Sequence, residues 1–390
     1  MMIGGNAWAR ILATDLEPLV TRNYQPVDPD ERGLWHSCER LEEALATSKR
    51  RIQDPAFSSY LTDLVLSLTE SVTSNVRVYP MWEADFNAVM FPNGAMVVNS
   101  GLLARMRNEA QLGAVLGHEC GHYLRLHSLK NRRNLRAKGS AAAFIDVGVD
   151  IATGATGASW IDLAKALNAS LLLSVFRYSR ELESEADAFG LKLLVERNYP
   201  PEAAGEVWSQ LIEEFKASAR ARNMQYVEGK SAVSTHPPPS DRMRDLTQTA
   251  EHYRMRASGD RQFDARRRRY LDAIRGLRPR LIEEQVKLND PGASLYLLDS
   301  LAQDGWDGLL RYYEGEVYRM RNALGDADRA REAYALAVTL PDAPPEAYRA
   351  HGYAMLRSGS HQEGKAALRR YLELAPGASD AAMIEFTLNQ

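Results

Sequence analysis

His118-Glu119-Cys120-Gly121-His122 spells H-E-x-x-H. On an α-helix, residues four apart share a face, so His118 and His122 can present two imidazole nitrogens to one metal ion. Glu119 lies about 100° further round the helix, within reach of a metal-activated water but free of any need to be a ligand. That is the arrangement of a zinc peptidase helix, with two histidine ligands and a glutamate as general base. A catalytic zinc site takes three protein ligands and keeps one position open, so a third donor must come from elsewhere in the chain. His127 is set aside, because helical continuation from His118 places it on about the opposite face. The helix expected over 174–196 offers a better donor in Glu183, with Asp187 one turn on along the same face. Glu183 would bind the metal, and Asp187 would accept the free ring N–H of a ligating histidine and fix its tautomer. The competing reading makes Glu181, Glu183 and Glu185 a solvated acidic face; the H-E-x-x-H decides in favour of a ligand.

The elements that must carry these residues show in the hydrophobic periodicity. Leu34, Cys38, Leu41 and Leu45 recur at helical spacing, as do Phe57, Leu61, Leu64, Val65 and Leu68. Val76–Tyr79 alternates like a strand. Phe86–Phe91 and Ala95–Val98 are β-rich runs joined by Pro92-Asn93-Gly94, a hairpin signal. A small antiparallel sheet is therefore expected ahead of the metal helix, with Ala95–Val98 either the edge to which an extended substrate could add or an internal strand. Residues 139–176 are rich in Ala, Gly and Ser and suit either a lid over the site or packed helix. Tyr199-Pro200-Pro201 stops the second ligand helix, and Pro237-Pro238-Pro239 makes a stiff loop. Further on, Gly325, Ala330, Tyr334, Ala337 and Leu340 recur 34 residues later as Gly359, Gly364, Leu368, Tyr371 and Leu374. A 34-residue period of paired helices is the tetratricopeptide signature. The expected fold class is α+β: an N-terminal helical extension (1–50), a mostly helical metallopeptidase domain with its small sheet (51–250), a charged helical linker (251–290), and an all-α domain of tetratricopeptide-like repeats (291–390).

Four ordered segments carry a family resemblance. They are Phe86-Asn87-Ala88 through Gly94 with Asn99-Ser100-Gly101-Leu102-Leu103; the stretch Leu112–His127 with its H-E-x-x-H; Ser179-Arg180 leading to Glu183, Glu185, Ala186 and Asp187; and His236-Pro237 followed by Arg242. In that order they resemble the motifs of the HtpX-like zinc metallopeptidases. This gluzincin family also takes in the CAAX prenyl proteases and soluble BepA-like members with C-terminal tetratricopeptide repeats. The resemblance implies one Zn2+ held by His118, His122 and Glu183, with Glu119 as general base, and hydrolysis of peptide bonds in protein substrates. It directs attention to His236 and Arg242 as donors to the developing oxyanion. In BepA-like members the matching histidine can instead occupy the open zinc position and hold the enzyme off. Arg180 is expected as a salt-bridge partner close to Glu183. The repeats would recruit a substrate or a protein partner. A rival reading is a chaperone or scaffold acting through its repeats, with a latent or structural zinc site; the intact Glu119 argues against it, since a structural site has no use for a base.

Charge and composition narrow the partners. A formal net charge of −3 gives no reason to expect nucleic acid or an anionic membrane, and Arg266–Arg269 reads as a solvated face. Cys38 and Cys120 are the only cysteines, and Cys120 sits inside the metal motif. A disulfide is not expected, and cysteine usage does not report the compartment. No stretch reaches the roughly 18–20 apolar residues of a spanning helix, which leaves peripheral membrane contact. The start lacks a secretory pattern. The chain as it begins reads as cytoplasmic, and the resemblance points to the bacterial periplasm or cell envelope if a signal has been removed.

Overall fold

Helix α1 (Pro29–Ala46) opens where the Asp28 carboxylate accepts a bond from the Glu31 N–H at 2.9 Å, satisfying one of the free donors of the first turn. The computed structural model describes residues 16–22, 24–69, 73, 75–137, 176, 178–228, 239–256 and 262–389. They divide into two units, one running to Ile212 and including Val227–Gly276, the other made of Glu213–Tyr226 and Leu277–Gln390.

In the first unit, α1 and α2 (Pro55–Thr69) precede three strands, β1 (Arg77–Met81), β2 (Ala88–Met90) and β3 (Ala95–Asn99). The stripe Leu34, Cys38, Leu41 and Leu45 of α1 buries against Met81, Val89, Phe91, Ala95 and Val97, which alternate along one face of the sheet. Arg77, Tyr79 and Asn93 all bond the Glu42 carboxylate, tying α1 to β1 and to the hairpin turn. The hairpin forms as expected: β2 pairs antiparallel with β3, and Gly94 takes φ 86° in the turn. A Cβ there would stand 2.1 Å from the Asn75 carbonyl oxygen, so only glycine fits.

The sheet differs from expectation in one respect. β1 pairs parallel with β3, giving a mixed sheet of order β1-β3-β2. The candidate edge, Ala95–Val98, is its central strand, with no free main-chain edge left for a substrate. The reason lies in the run itself. All five positions of β3 are buried, and an unbroken apolar run is what a strand covered on both faces requires.

After β3 come α3 (Ser100–Arg105), α4 (Glu109–Leu124) and α5 (His127–Ala137). Asn108 caps α4 by accepting from the Gln111 N–H. Helix α4 is buried on almost every side and packs most closely on α6 (Arg180–Glu196), the second ligand helix. Small residues permit this approach. A Cβ on Gly190 would stand 2.7 Å from the His118 nitrogen, and one on Gly121 would stand 3.0 Å from the Ala186 oxygen. Two backbones in contact bring the first turn of α6 level with the last turns of α4. Helix α7 (Glu202–Ala221) follows, and α8 (Pro239–Arg256) packs against α6. In α9 (Arg267–Ile274), Arg269 pairs with the fully buried Glu109 at 3.0 Å, as does the preceding Arg266 at 3.4 Å. The arginine run is thus partly an internal counter-charge, while Arg268 stays exposed.

The second unit includes α10 (Arg278–Lys287), α11 (Pro291–Leu301), α12 (Gly308–Arg321), α13 (Asp326–Ala337), α14 (Pro345–Arg357), α15 (His361–Leu374) and α16 (Ala381–Leu388). Helices α12 with α13, and α14 with α15, form two packed pairs. Each pair turns at a left-handed glycine, Gly325 (φ 82°) and Gly359 (φ 88°). In each, a glycine of the first helix receives a large side chain of the second, Gly315 under Tyr334 and Gly352 under Leu368. Among the described residues, no helix is long and apolar enough to cross a membrane.

Candidate metal centre

His118 and His122 stand one turn apart on α4, with their Nε2 atoms 3.0 Å from each other. Ser179 caps α6, its hydroxyl accepting from the Leu182 N–H, and so places Glu183 in the first helical turn. The Glu183 carboxylate reaches both rings, 3.5 Å from His118 Nε2 and 3.7 Å from His122 Nε2. All three side chains are buried, and together they form a group able to hold a metal ion. One ligand atom from each residue lies within 4.8 Å of the other two, and a tetrahedral ion with bonds of ~2.0–2.1 Å would draw such atoms to about 3.4 Å apart. Formal charge agrees. Among the described residues, buried Glu119, Glu183 and Asp187 face one buried guanidinium, Arg242. Three carboxylates against one cation leave two negative charges, which a divalent ion neutralises. Zn2+ fits both the donor set and the charge.

A second layer holds these ligands. Asp187 Oδ1 lies 2.8 Å from His118 Nδ1, which Arg242 Nη2 also approaches at 3.0 Å; a proton given by Nδ1 to the carboxylate would leave Nε2 free for a metal. Arg242 clasps the same carboxylate from α8, with Nε donating to Oδ2 at 2.9 Å and Nη2 to Oδ1 at 2.5 Å. Burial opposes ionisation of Asp187, yet Arg242 and His118 together hold its carboxyl well below the usual carboxylate range. The guanidinium also lies 3.7 Å from Glu183 and stacks over Trp208 at 4.1 Å. The structure therefore turns Arg242 toward Asp187 and Glu183, rather than leaving it free to meet a substrate oxygen. Arg180 is exposed at the first position of α6. Glu119 is buried, with Oε1 4.0 Å from His118 Nε2, beside the ligand group and not part of it. Cys120 is a buried free thiol whose pKa is pushed up by burial. His236 and residues 139–175 lie outside the described residues, and with them the expected oxyanion donor or gate and most of the expected lid.

Two neighbours were not anticipated from the sequence. Helix α4 ends at Leu124, Leu126 takes a left-handed φ of 55°, and α5 starts afresh at His127. That break returns the His127 ring to His122, with their Nδ1 atoms 2.9 Å apart. A continuous helix would have carried His127 to about the opposite face from His118; the break at Leu126 does not. Tyr178, just ahead of α6, stacks on the other side-chain surface of the site: its ring lies 3.8 Å from that of His122, nearly parallel, and its hydroxyl bonds Ser128 at 2.8 Å.

Residues 60–250 match the family described as Peptidase family M48. Over 206 residues, 52% of this chain and 41% of the relative, the sequence is 22% identical to the Beta-barrel assembly-enhancing protease of Escherichia coli (strain K12). It is 32% identical over 187 residues to Metalloprotease YcaL of the same organism, covering 47% of this chain and 63% of the relative. A third relative is the Mitochondrial metalloendopeptidase OMA1 of Schizosaccharomyces pombe, 30% identical over 162 residues, 41% of this chain and 42% of the relative. The chain thus spans less than two thirds of the length of each of these relatives.

Proposed function

From the match of residues 60–250 to peptidase family M48 we propose that the chain is a zinc-dependent endopeptidase acting on unfolded or misassembled proteins. The observation that carries this reading is the convergence of His118, His122 and Glu183 with Glu119 immediately beside them. A zinc ion in such a site acidifies a water and polarises a substrate carbonyl. Glu119 takes the proton from the attacking water and delivers it to the leaving amine. Asp187 keeps the His118 proton on Nδ1, and Arg242 keeps Asp187 ionised. His236 either donates to the oxyanion or occupies the open position as a gate, a role suggested by the family resemblance. The helix pairs of the second unit are read as tetratricopeptide-like repeats that recruit substrate or a protein partner; the 34-residue recurrence and the two turn glycines support this. A protein substrate also accords with the names of the relatives, an assembly-enhancing protease and a metalloendopeptidase.

Glu119→Gln tests the reading. The variant is expected to keep one zinc per chain by elemental analysis, and to lose casein cleavage by about 10²–10⁴-fold, the range of a general base. Cleavage at the wild-type rate would remove Glu119 from the mechanism.

A further inference from the structure

We propose that His127 is a positioning residue for the metal site: it fixes the tautomer of His122, and Glu185 orients His127 in turn. The inference rests on the zinc reading above and concerns how one ligand is prepared for the ion. The two ligand histidines are supported unequally. His118 has a carboxylate on Nδ1 at 2.8 Å, whereas the Nδ1 of His122 faces another imidazole nitrogen, His127 Nδ1, at 2.9 Å. Two ring nitrogens at that distance share one proton-bearing contact, so one donates and the other accepts. A histidine that binds metal through Nε2 carries its proton on Nδ1, which makes His122 the donor and His127 the acceptor. His127 must then hold its own proton on Nε2. That nitrogen lies 3.4 Å from Glu185 Oε1, long for a hydrogen bond but close enough to favour a proton on the facing nitrogen. Glu185 is itself anchored, accepting from Arg125 Nε and lying 3.6 Å from Lys130 Nζ. The opposite assignment puts the His122 proton on Nε2, directed at the space shared with His118 Nε2, 3.0 Å away, and closes the site to a metal. The two rings therefore have one metal-competent state between them, and Glu185 selects it. The Tyr178 ring stacked on His122 limits rotation out of that state.

The full chain stripped of metal and titrated with zinc against a chromophoric chelator tests this. His127→Leu removes the acceptor and is expected to weaken zinc binding by about 10–100-fold, the usual effect of losing such a partner. His127→Asn keeps an oxygen where Nδ1 stood and is expected to recover most of that loss. A Leu variant with wild-type affinity, or an Asn variant as weak as Leu with both proteins folded by circular dichroism, overturns the proposal. Because His127 is fully buried, a second readout uses the unaltered protein. In zinc-loaded, ¹⁵N-histidine-labelled chain, long-range ¹H–¹⁵N spectra should show His127 protonated on Nε2, and protonation on Nδ1 overturns the assignment. Wild-type chain that binds no zinc would overturn the metal reading along with the inference. Intact zinc binding with the wrong tautomer would overturn the inference alone.

Discussion

Replacing Asp187 by asparagine changes no volume and should still disable the site, because of how many donors converge on it. His118 Nδ1 approaches Oδ1 at 2.8 Å, Arg242 Nη2 approaches Oδ1 at 2.5 Å, and Arg242 Nε approaches Oδ2 at 2.9 Å. A carboxylate accepts from all three; an asparagine amide has one oxygen and one NH2. With its oxygen toward His118, the NH2 confronts Arg242 Nε, donor against donor, and a buried guanidinium loses its anion. With its oxygen toward Nε, the NH2 confronts His118 Nδ1 and drives that proton to Nε2, where the metal must bind. Breaking a buried pair by removing one partner costs about 3–5 kcal/mol, and for a unit of this size that lowers Tm by roughly 6–20 °C. Loss of a ligand-orienting partner weakens metal binding about 10–100-fold. The assay is paired: thermal unfolding of the metal-free protein, and zinc competition titration at neutral pH. An Asp187→Asn protein with wild-type Tm and wild-type zinc affinity would refute the argument. The pH dependence has a fixed sign. The Asp187 carboxyl is depressed in the folded state, so its stabilisation is fully present above the unfolded value of about 3.9. It fades as pH falls below that value.

Two other perturbations probe what assembles the site. Gly190→Ala places a Cβ 2.7 Å from the His118 nitrogen and 2.9 Å from the Gly117 carbonyl carbon, both backbone atoms that cannot rotate aside. It should cost at least the ~1–3 kcal/mol of ordinary overpacking, and weaken zinc binding by moving Glu183 from the histidines; unchanged Tm and zinc affinity would show that the helix contact does not set the site. His236→Ala should raise casein cleavage if the residue is a gate, and a fall in rate at constant zinc content would assign it to the oxyanion instead.

How far the site could be read from the sequence depended on whether its geometry was local. His118, Glu119 and His122 share one helix, so helical periodicity places them without tertiary information. Glu183 and Asp187 lie on a second helix, where spacing shows that the two act together but not where they point. The backbone contacts around Gly117, Gly121 and Gly190 do that, and glycines inside a helical pattern read first as weak helix formers. The mixed sheet was hidden because the hairpin signal at Asn93-Gly94 specifies one pairing and says nothing of the third strand. The unbroken apolar run of Ala95–Val98 was the available sign of a central strand.

His127 was hidden for a different reason. The helix breaks at Leu126, a non-glycine residue at φ 55°, a conformation that costs such a residue roughly 1–2 kcal/mol and has no signature in Arg125-Leu126. Local and tertiary contacts together sustain it. The turn closes with Arg125 N–H bonded to the Gly121 oxygen and Leu126 N–H to the Tyr123 oxygen. The Arg125 side chain reaches Glu185, which in turn faces His127. Arg125, which caps the C-terminus of α4, therefore anchors the carboxylate opposite the first residue of α5. A helix continued through Leu126 would keep its local preferences and carry His127 away from Glu185 and His122. The strained turn carries His127 back to His122, and the carboxylate it meets lies on α6, beyond the reach of local sequence pattern.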